Sequence, residues 1–279
     1  MTQRAAILTD SSAGMPSDDV ARLGIAVVPI HLTIGSQEYR DGHDLNPGDL
    51  YAALEQGTPV KSAAPSPLDY LDAIEESGSE HVVVITPATE FTWMHRNATL
   101  AAELATRGVS VVDSRSATAG HGLVVLAAAK AAEAGGSVDD VVSAADDAAT
   151  RVDLVGALET LDYLRASGRM PALAVGLATQ LGVRPVFRFE EGVAERVGLP
   201  RTEEGALARM VKEWRARGGE DAEACAVFHA ARPDGADELA RRIGGASFAT
   251  EFSAAMAIHT GPGVVGVAWL KRREGEPEL

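Results

Sequence analysis

The sequence predicts an α/β protein of two domains, and three observations support this fold class. Short segments rich in Val and Ile alternate with alanine-rich amphipathic segments, as in parallel sheets whose strands are joined by crossover helices. The 279 residues, 46% of them apolar, suffice for two cores. The segment VRPVFRFEEGVAERVGLPRT in the second half is typical of an antiparallel hairpin. We therefore expect a mostly parallel N-terminal sheet with flanking helices and a mixed C-terminal sheet containing that hairpin.

The N-terminal domain is predicted to span residues 1–150. Its strands are expected at residues 5–9, 25–32, 81–86 and 109–112, where β-branched residues lead to a hydroxyl, Asp or Pro. Prolines and hydroxyl side chains favour the first positions of a helix. On this basis helices should begin at Pro16, Asn46-Pro47, Ser66-Pro67, Ser116 and Ser137.

The C-terminal domain is predicted to span residues 151–279. It should begin with a strand at 154–158 and a short helix that Gly168 ends, because glycine favours the left-handed conformation just after a helix. The hairpin should turn at residues 190–192. A helix at 202–217 and strands at 224–229 and 264–270 are expected to complete the domain.

Composition argues against several classes of protein. A formal net charge of −15 opposes non-specific binding to nucleic acid or to an anionic membrane surface. The single cysteine, Cys225, excludes an internal disulfide, and no apolar segment is long enough for a membrane span or a signal peptide. We expect a cytoplasmic protein that does not insert stably into a membrane.

The usual enzyme signatures are also missing from the sequence. It contains no Walker A loop, no HExxH, no paired CxxC and no GxSxG. The segment GPGVVG at 261–266 fits GxGxxG, but a β-like segment follows it where a dinucleotide site needs a helix N-terminus. We therefore predict no cofactor and no metal.

Polar loops follow several of the predicted strands. They contain Thr9-Asp10-Ser11-Ser12, Lys61-Ser62, residues 86–92 and Asp113-Ser114. Ligand loops of doubly wound sheets lie at the carboxyl ends of the strands. Together with His259, these loops are candidates for a polar floor at one edge of a sheet.

Six segments, in order, resemble the DegV family over nearly the whole chain. They are TDSSAG at 9–14, YRDG at 39–42, VVDSRSATAGHG at 111–122, LDYLRASGRM at 161–170, GVRPV at 182–186 and HTGPGVVG at 259–266. The resemblance implies two α/β domains with a long-chain fatty acid in a tunnel between them. It also implies a lipid carrier with no catalytic residue of its own, whose bound acid is phosphorylated by a dihydroxyacetone-kinase-like fatty acid kinase.

The resemblance also assigns roles to individual residues. Ser62, Thr92 and His259 align with the family's ligands to the fatty acid carboxylate, although Trp93 replaces a glycine beside Thr92 and Glu90 lies nearby. Arg169 and Arg201 align with arginines associated with phosphate handling and kinase docking. The loops expected to support the site contain Asp10, Ser11, Ser12, Asp113, Ser114, Gly261 and Gly263.

The residue types suit such a ligand. About 14 methylenes of a sixteen-carbon chain, at roughly 0.8 kcal/mol each, contribute on the order of 11 kcal/mol before the costs of association. The hydroxyl groups of Ser62 and Thr92 and the imidazole of His259 then need only to orient the carboxylate, which is costly to bury without donors.

Two other functions are compatible with the sequence. In the first, Ser11 or Ser12 is the nucleophile of an esterase or acyltransferase, with His259 as base and Asp10 orienting it. In the second, the two domains clasp a sugar, a phosphosugar or another small polar ligand, although only 5% of the residues are aromatic.

Overall fold

The structure is a computed structural model that describes residues 5–45, 47–166, 182–190 and 192–273. In the N-terminal half, the strands are β1 (Ala6–Asp10), β2 (Ala26–Val28), β3 (His31–Ile34), β4 (Gln37–Arg40), β5 (Val60–Ala63), β6 (His81–Thr86) and β7 (Gly108–Asp113). The helices are α1 (Ser17–Leu23), α2 (Pro47–Glu55), α3 (Pro67–Glu76), α4 (Met94–Leu104), α5 (Thr118–Glu133) and α6 (Val138–Arg151). A short 3-10 turn, Ser11–Ala13, follows β1.

In the C-terminal half, the strands are β8 (Val152–Ala157), β9 (Val186–Glu190), β10 (Val193–Gly198), β11 (Ala224–His229), β12 (Phe248–Glu251) and β13 (Val265–Leu270). The helices are α7 (Asp162–Ala166), α8 (Glu203–Ala216), α9 (Pro233–Arg242) and α10 (Ala254–Thr260). No helix in the described ranges is long and apolar enough to cross a membrane.

The N-terminal half contains the predicted parallel sheet, with strand order β2-β1-β6-β7. A second sheet is antiparallel, with strand order β4-β3-β5, and its strands come between β2 and β6 in the sequence. The prediction of one strand over residues 25–32 was wrong, because β2 ends at Val28 and β3 begins at His31 in the other sheet. Pro29 lies between them and has no N–H group to donate to a strand ladder.

The helix starts that local chemistry predicts are confirmed where the structure describes them. Ser66 and Ser137 form capping boxes, in which each hydroxyl accepts from the backbone N–H of an Asp three residues later. The Thr202 hydroxyl caps α8 by accepting from the backbone N–H of Gly205. The helix expected near Ser116 begins at Thr118, and Asn46 lies outside the described residues.

The C-terminal sheet is mixed, as predicted, with strand order β10-β9-β8-β13-β11-β12. Its neighbouring strands are antiparallel except β11 and β12, which run parallel. The hairpin of β9 and β10 confirms the sequence pattern, but β12, α9 and α10 were not predicted.

The two faces of the C-terminal sheet belong to different cores. Leu154, Phe187 and Phe228 point to an inner face that shares one buried cluster with the N-terminal sheet and α5. Val267 and Trp269 point to the outer face, which packs against α8 and α9. The inner core joins both halves of the chain, and the domain boundary near residue 150 stays a prediction.

Candidate functional site

Ser62 and His259 meet although 197 positions separate them in the sequence. Ser62 lies on β5 opposite Leu32 of β3, and His259 lies in the last turn of α10. The Ser62 Oγ and His259 Nε2 atoms are 3.0 Å apart, and both residues are partly buried. The hydrogen bond therefore joins the antiparallel N-terminal sheet to the C-terminal half at a place that solvent still reaches.

The turn that follows α10 holds His259 in place. The backbone N–H of Gly261 donates to Ala257 O at 2.8 Å, and that of Gly263 donates to Ala230 O at 2.7 Å. Both glycines have positive φ, 71° and 98°. A side chain at Gly261 would overlap the ring of Tyr163, so this position requires glycine. The supporting role of the turn stays a prediction.

Asp41 joins the N-terminal half to α10 at a second place, through its hydrogen bond with Ala255. The Ser11 hydroxyl donates to Asp41 Oδ2 at 2.7 Å and accepts from the N–H of Ile30 at 3.1 Å. The N–H of Ala255, in the first turn of α10, donates to Asp41 Oδ1 at 3.3 Å. Asp41 is only 1% exposed. It belongs to the YRDG segment, which was matched to the family without a role for Asp41 in the site.

Thr92 lies just before α4, where its Oγ1 accepts from the N–H of Met94 at 3.3 Å. One turn further along, Asn97 Nδ2 donates to Pro65 O at 2.8 Å, which joins α4 to the loop that follows β5 and Ser62. Trp93 is 64% exposed, and the guanidinium of Arg96 lies 5.3 Å from its ring centroid. The indole therefore points to the surface.

Asp113 and Ser114 shape the loop that leads to Thr92. Asp113 Oδ2 accepts from the hydroxyl and the N–H of Thr89, and its Oδ1 accepts from the N–H of Arg115 at 2.8 Å. The N–H of Ser114 donates to Thr86 O at 3.0 Å. These contacts fix the ends of β6 and β7 relative to each other and so support the loop.

Asp10 and Ser12 point into the N-terminal half. Asp10 Oδ1 accepts from both the N–H and the hydroxyl of Ser12. Nearby, His121 Nε2 lies 3.1 Å from Thr9 Oγ1 and 3.2 Å from Ile85 O. Burial lowers the pKa of His121, which has no exposed surface.

The serine hydrolase arrangement considered from the sequence requires Ser11 or Ser12, His259 and Asp10 to act together. In the structure Ser12 donates to Asp10, Ser11 donates to Asp41, and His259 is bonded to Ser62. The two serines of the TDSS loop therefore bond to two different aspartates, and neither bonds to His259. The serine that contacts His259 is Ser62.

Comparison with known proteins gives the family. A family model described as "Uncharacterised protein, DegV family" matches residues 4–272. The chain belongs to the DegV family. A DegV domain-containing protein of Streptomyces coelicolor is 35% identical over 276 residues, which cover 96% of this chain and 98% of that protein. A relative in Mycobacterium tuberculosis is 33% identical, covering 94% of this chain and 95% of its own length.

Solved DegV structures confirm the fold. The structure of a DegV family protein from Thermus thermophilus, described by its fatty acid binding, superposes with a TM-score of 0.89 at 27% identity. The match covers 96% of this chain and 100% of that one. A DegV family protein from Corynebacterium glutamicum superposes with a TM-score of 0.79 at 25% identity, covering 97% and 99%.

The two arginines that the DegV resemblance selected lie in different situations. Arg169 lies outside the described residues. Arg201 is exposed and immediately precedes Thr202, the N-cap of α8. The neighbouring Pro200 O accepts from the N–H of Arg184 at 2.8 Å, and the Arg184 guanidinium pairs with Glu159. Arg201 thus lies next to a charged surface near the turn that follows α10.

Two of the cavities in the described part of this DegV chain lie against α8. A groove of about 700 Å³ lies between α8 and α9, and a space of about 10 Å³ lies between α8 and Gly263. Neither is lined by Ser62, Thr92 or His259. Within the described residues, no group of three His, Cys, Asp or Glu side chains could hold a metal ion.

Proposed function

We propose that this DegV protein binds a long-chain fatty acid between its two halves, with the carboxylate at the Ser62–His259 pair. The observation that carries the proposal is the hydrogen bond of 3.0 Å between these side chains at the junction. The Thermus thermophilus DegV protein, similar over 96% of this chain, is described by its fatty acid binding. Family membership and a partly buried polar pair thus support the same ligand.

The pair offers suitable donors to a carboxylate. A serine hydroxyl and an imidazole N–H can each donate one hydrogen bond, and the Thr92 hydroxyl at the start of α4 adds a third donor. The start of this eleven-residue helix also carries a partial positive charge. On binding, the acid exchanges the Ser62–His259 hydrogen bond for two bonds to its own oxygens, so little hydrogen bonding is lost.

The inner face of the C-terminal sheet provides an apolar surface for the acyl chain. Phe91 from the N-terminal half contacts Phe189 of β9, with ring centroids 4.8 Å apart. Phe228 stacks on Phe252 at 5.4 Å. Because these rings pack directly against each other, we propose that the two halves separate and the rings rotate to admit the chain. About 11 kcal/mol of methylene transfer is available to offset that separation.

We further propose that the bound acid is presented to a partner kinase in the cytoplasm, so that this chain is a carrier and needs no cofactor. Arg201 is exposed at the start of α8, where a guanidinium is able to form paired hydrogen bonds with a phosphate. Arg169 has the same proposed role. An Arg201→Ala variant should keep its lipid but lose acyl phosphate formation by the kinase, and unchanged turnover would refute the assignment.

The direct test of the proposal is to extract the purified protein with organic solvent and identify the released molecules by mass spectrometry. We expect a long-chain fatty acid in an amount approaching one per protein chain. Ser62→Ala and His259→Ala should reduce the retained acid. Ser110→Ala and His81→Ala are matched controls, because Ser110 Oγ and His81 Nε2 form a similar pair at 3.2 Å elsewhere. Recovery of a sugar phosphate, or of no lipid after loading with palmitate, would contradict fatty acid binding.

The same pair also suits a second function, because a serine within hydrogen-bond distance of a histidine is the usual arrangement of an activated nucleophile. A serine esterase or acyltransferase would use Ser62 as nucleophile and His259 as base. Reaction with a fluorophosphonate probe, lost in Ser62→Ala, would favour this function. A protein that retains fatty acid but is not labelled favours the carrier.

A further inference from the structure

Asp41 lies where three structural elements meet. Its carboxyl group accepts from the Ser11 hydroxyl at 2.7 Å and from the N–H of Ala255, in the first turn of α10, at 3.3 Å. Its own N–H donates to Ile30 O at 2.9 Å, just before β3. One buried residue thus connects the 3-10 turn, the entry to β3 and the start of α10.

These connections reach both members of the Ser62–His259 pair. Asp41 is bonded beside β3, and β3 pairs with β5, which carries Ser62. Its side chain is bonded to α10, whose last turn carries His259. Because a single short helix joins Ala255 to His259, a shift of the helix start moves the imidazole by a similar amount.

Asp41 is not needed simply to cap this helix. Ser253 is the N-cap of α10, and its hydroxyl accepts from the N–H of Met256 at 3.4 Å. Asp41 adds acceptors for the first turn from a residue 214 positions away in the sequence. Burial raises the pKa of Asp41, while hydrogen bonds from Ser11, Ser253 and the N–H of Ala255 act in the opposite direction.

We propose that Asp41 is a positioning residue for the head group of the fatty acid. It holds α10 against the antiparallel sheet, so that His259 and Ser62 stay at the separation that one carboxylate can bridge. The inference rests on the proposed function, because it assigns a residue to that same site. It distinguishes Asp41 from residues that stabilise the fold alone, since its removal should impair recognition of the carboxylate more than of the chain.

The test compares two ligands with the same chain and different head groups. Affinities for palmitic acid and for hexadecanol are measured by displacement of a fluorescent lipid, and the ratio of the two affinities is the readout. In Asp41→Ala we expect the preference for the acid to fall about tenfold. Asp41→Asn should lower it less, because an amide oxygen can still accept from Ala255.

Asp153→Asn is the control. Asp153 is a buried carboxylate, 5% exposed, that pairs with Arg217 at 3.1 Å far from the proposed head-group site. Its substitution should lower stability without changing the preference for the acid. If Asp41→Ala does not fold, Asp41→Asn still decides the matter.

An unchanged preference in an Asp41 variant that folds, while the native protein prefers the acid, overturns the role of Asp41 alone. A native protein that binds neither ligand overturns the proposed function and this inference with it. An equal loss of affinity for both ligands assigns Asp41 to the fold and likewise overturns the positioning role.

Discussion

Two polar regions of the molecule use the same residue types in opposite ways. The first, here called the seam, consists of Ser11, Asp41, Ser62 and His259. It joins distant parts of the chain, and all of its residues except the buried Asp41 are partly exposed. The second, the inner cluster, consists of Thr9, Asp10, Ser12 and His121. All four residues of the inner cluster are at most 3% exposed.

The contrast is sharpest at the neighbouring residues Ser11 and Ser12. Ser11 donates to Asp41 in the seam, while Ser12 donates to Asp10 in the inner cluster. A fully buried group already bonded to a neighbour contributes to stability, because breaking its bond leaves a desolvated partner. A partly exposed pair can exchange its bond for one to a ligand. The position of the polar groups, rather than their type, therefore separates the candidate site from its support.

The largest effect that this comparison predicts is on stability, from Asp10→Ala. The substitution leaves the N–H and the hydroxyl of Ser12 without their acceptor, and we expect the free energy of unfolding to fall by about 2–4 kcal/mol. Urea denaturation measures the change. Fatty acid affinity of the folded variant should stay within about twofold, since Asp10 lies outside the seam. If the free energy of binding falls by more than the free energy of unfolding, the two regions do not differ in the way described.

In the seam, His259→Ala should have the opposite effect, with a large loss of fatty acid affinity and a small loss of stability. Loss of a donor to a charged group costs about 1.5–3 kcal/mol, so the affinity for a long-chain acid should fall roughly ten- to hundredfold. The free energy of unfolding should change by less than about 1 kcal/mol, because the imidazole is only partly buried. Fluorescence displacement and urea denaturation measure the two quantities, and His81→Ala, which alters a similar pair, should leave affinity unchanged.

Ser62→Ala should weaken binding less than His259→Ala. A neutral hydroxyl contributes about 0.5–1.5 kcal/mol, which corresponds to a loss of roughly two- to tenfold in affinity. Ser110→Ala serves as the matched control for a serine bonded to a histidine. If Ser62→Ala binds as tightly as the native protein while His259→Ala does not, the carboxylate is held by the histidine and other donors, and the paired site is wrong.

Local chemistry made much of the fold predictable. Capping boxes at Ser66 and Ser137 involve residues three positions apart, so the helix starts could be read directly from the sequence. Pro29 indicates a break within residues 25–32, because proline cannot donate to a strand ladder. The β-branched residues on both sides of it nevertheless favoured the prediction of one continuous strand. The strands of the parallel sheet and the hairpin followed from periodicity and turn residues.

The candidate site was predictable only in part, because its contacts are not local. The motifs selected Ser62 and His259 separately, whereas their meeting depends on the packing of α10 against β5. Nothing in TDSS indicates that Ser11 and Ser12 turn to different regions. Asp41 was matched only as part of the YRDG segment, and its contact with Ala255 across 214 positions arises only in the folded chain.

The smallest predicted effect is a pH dependence of stability that arises from His121 in the inner cluster. Burial lowers the pKa of His121 in the folded protein, against the opposing influence of Asp10, Asp113 and the carbonyl of Ile85. Below about pH 6.5 the unfolded chain binds a proton at this residue that the folded chain resists, so its contribution is complete above that pH and is lost as the pH falls toward the folded pKa.

His121→Gln removes this titration and keeps a side chain able to reach Thr9 and Ile85. Urea midpoints of the native protein and the variant should therefore differ in favour of the native protein more at about pH 7.5 than at about pH 5. Other titrating groups are common to both proteins and cancel in the difference. A difference that does not change with pH would mean that His121 titrates alike in the folded and unfolded chain. In that case solvent would reach the inner cluster, and its contrast with the seam would fail.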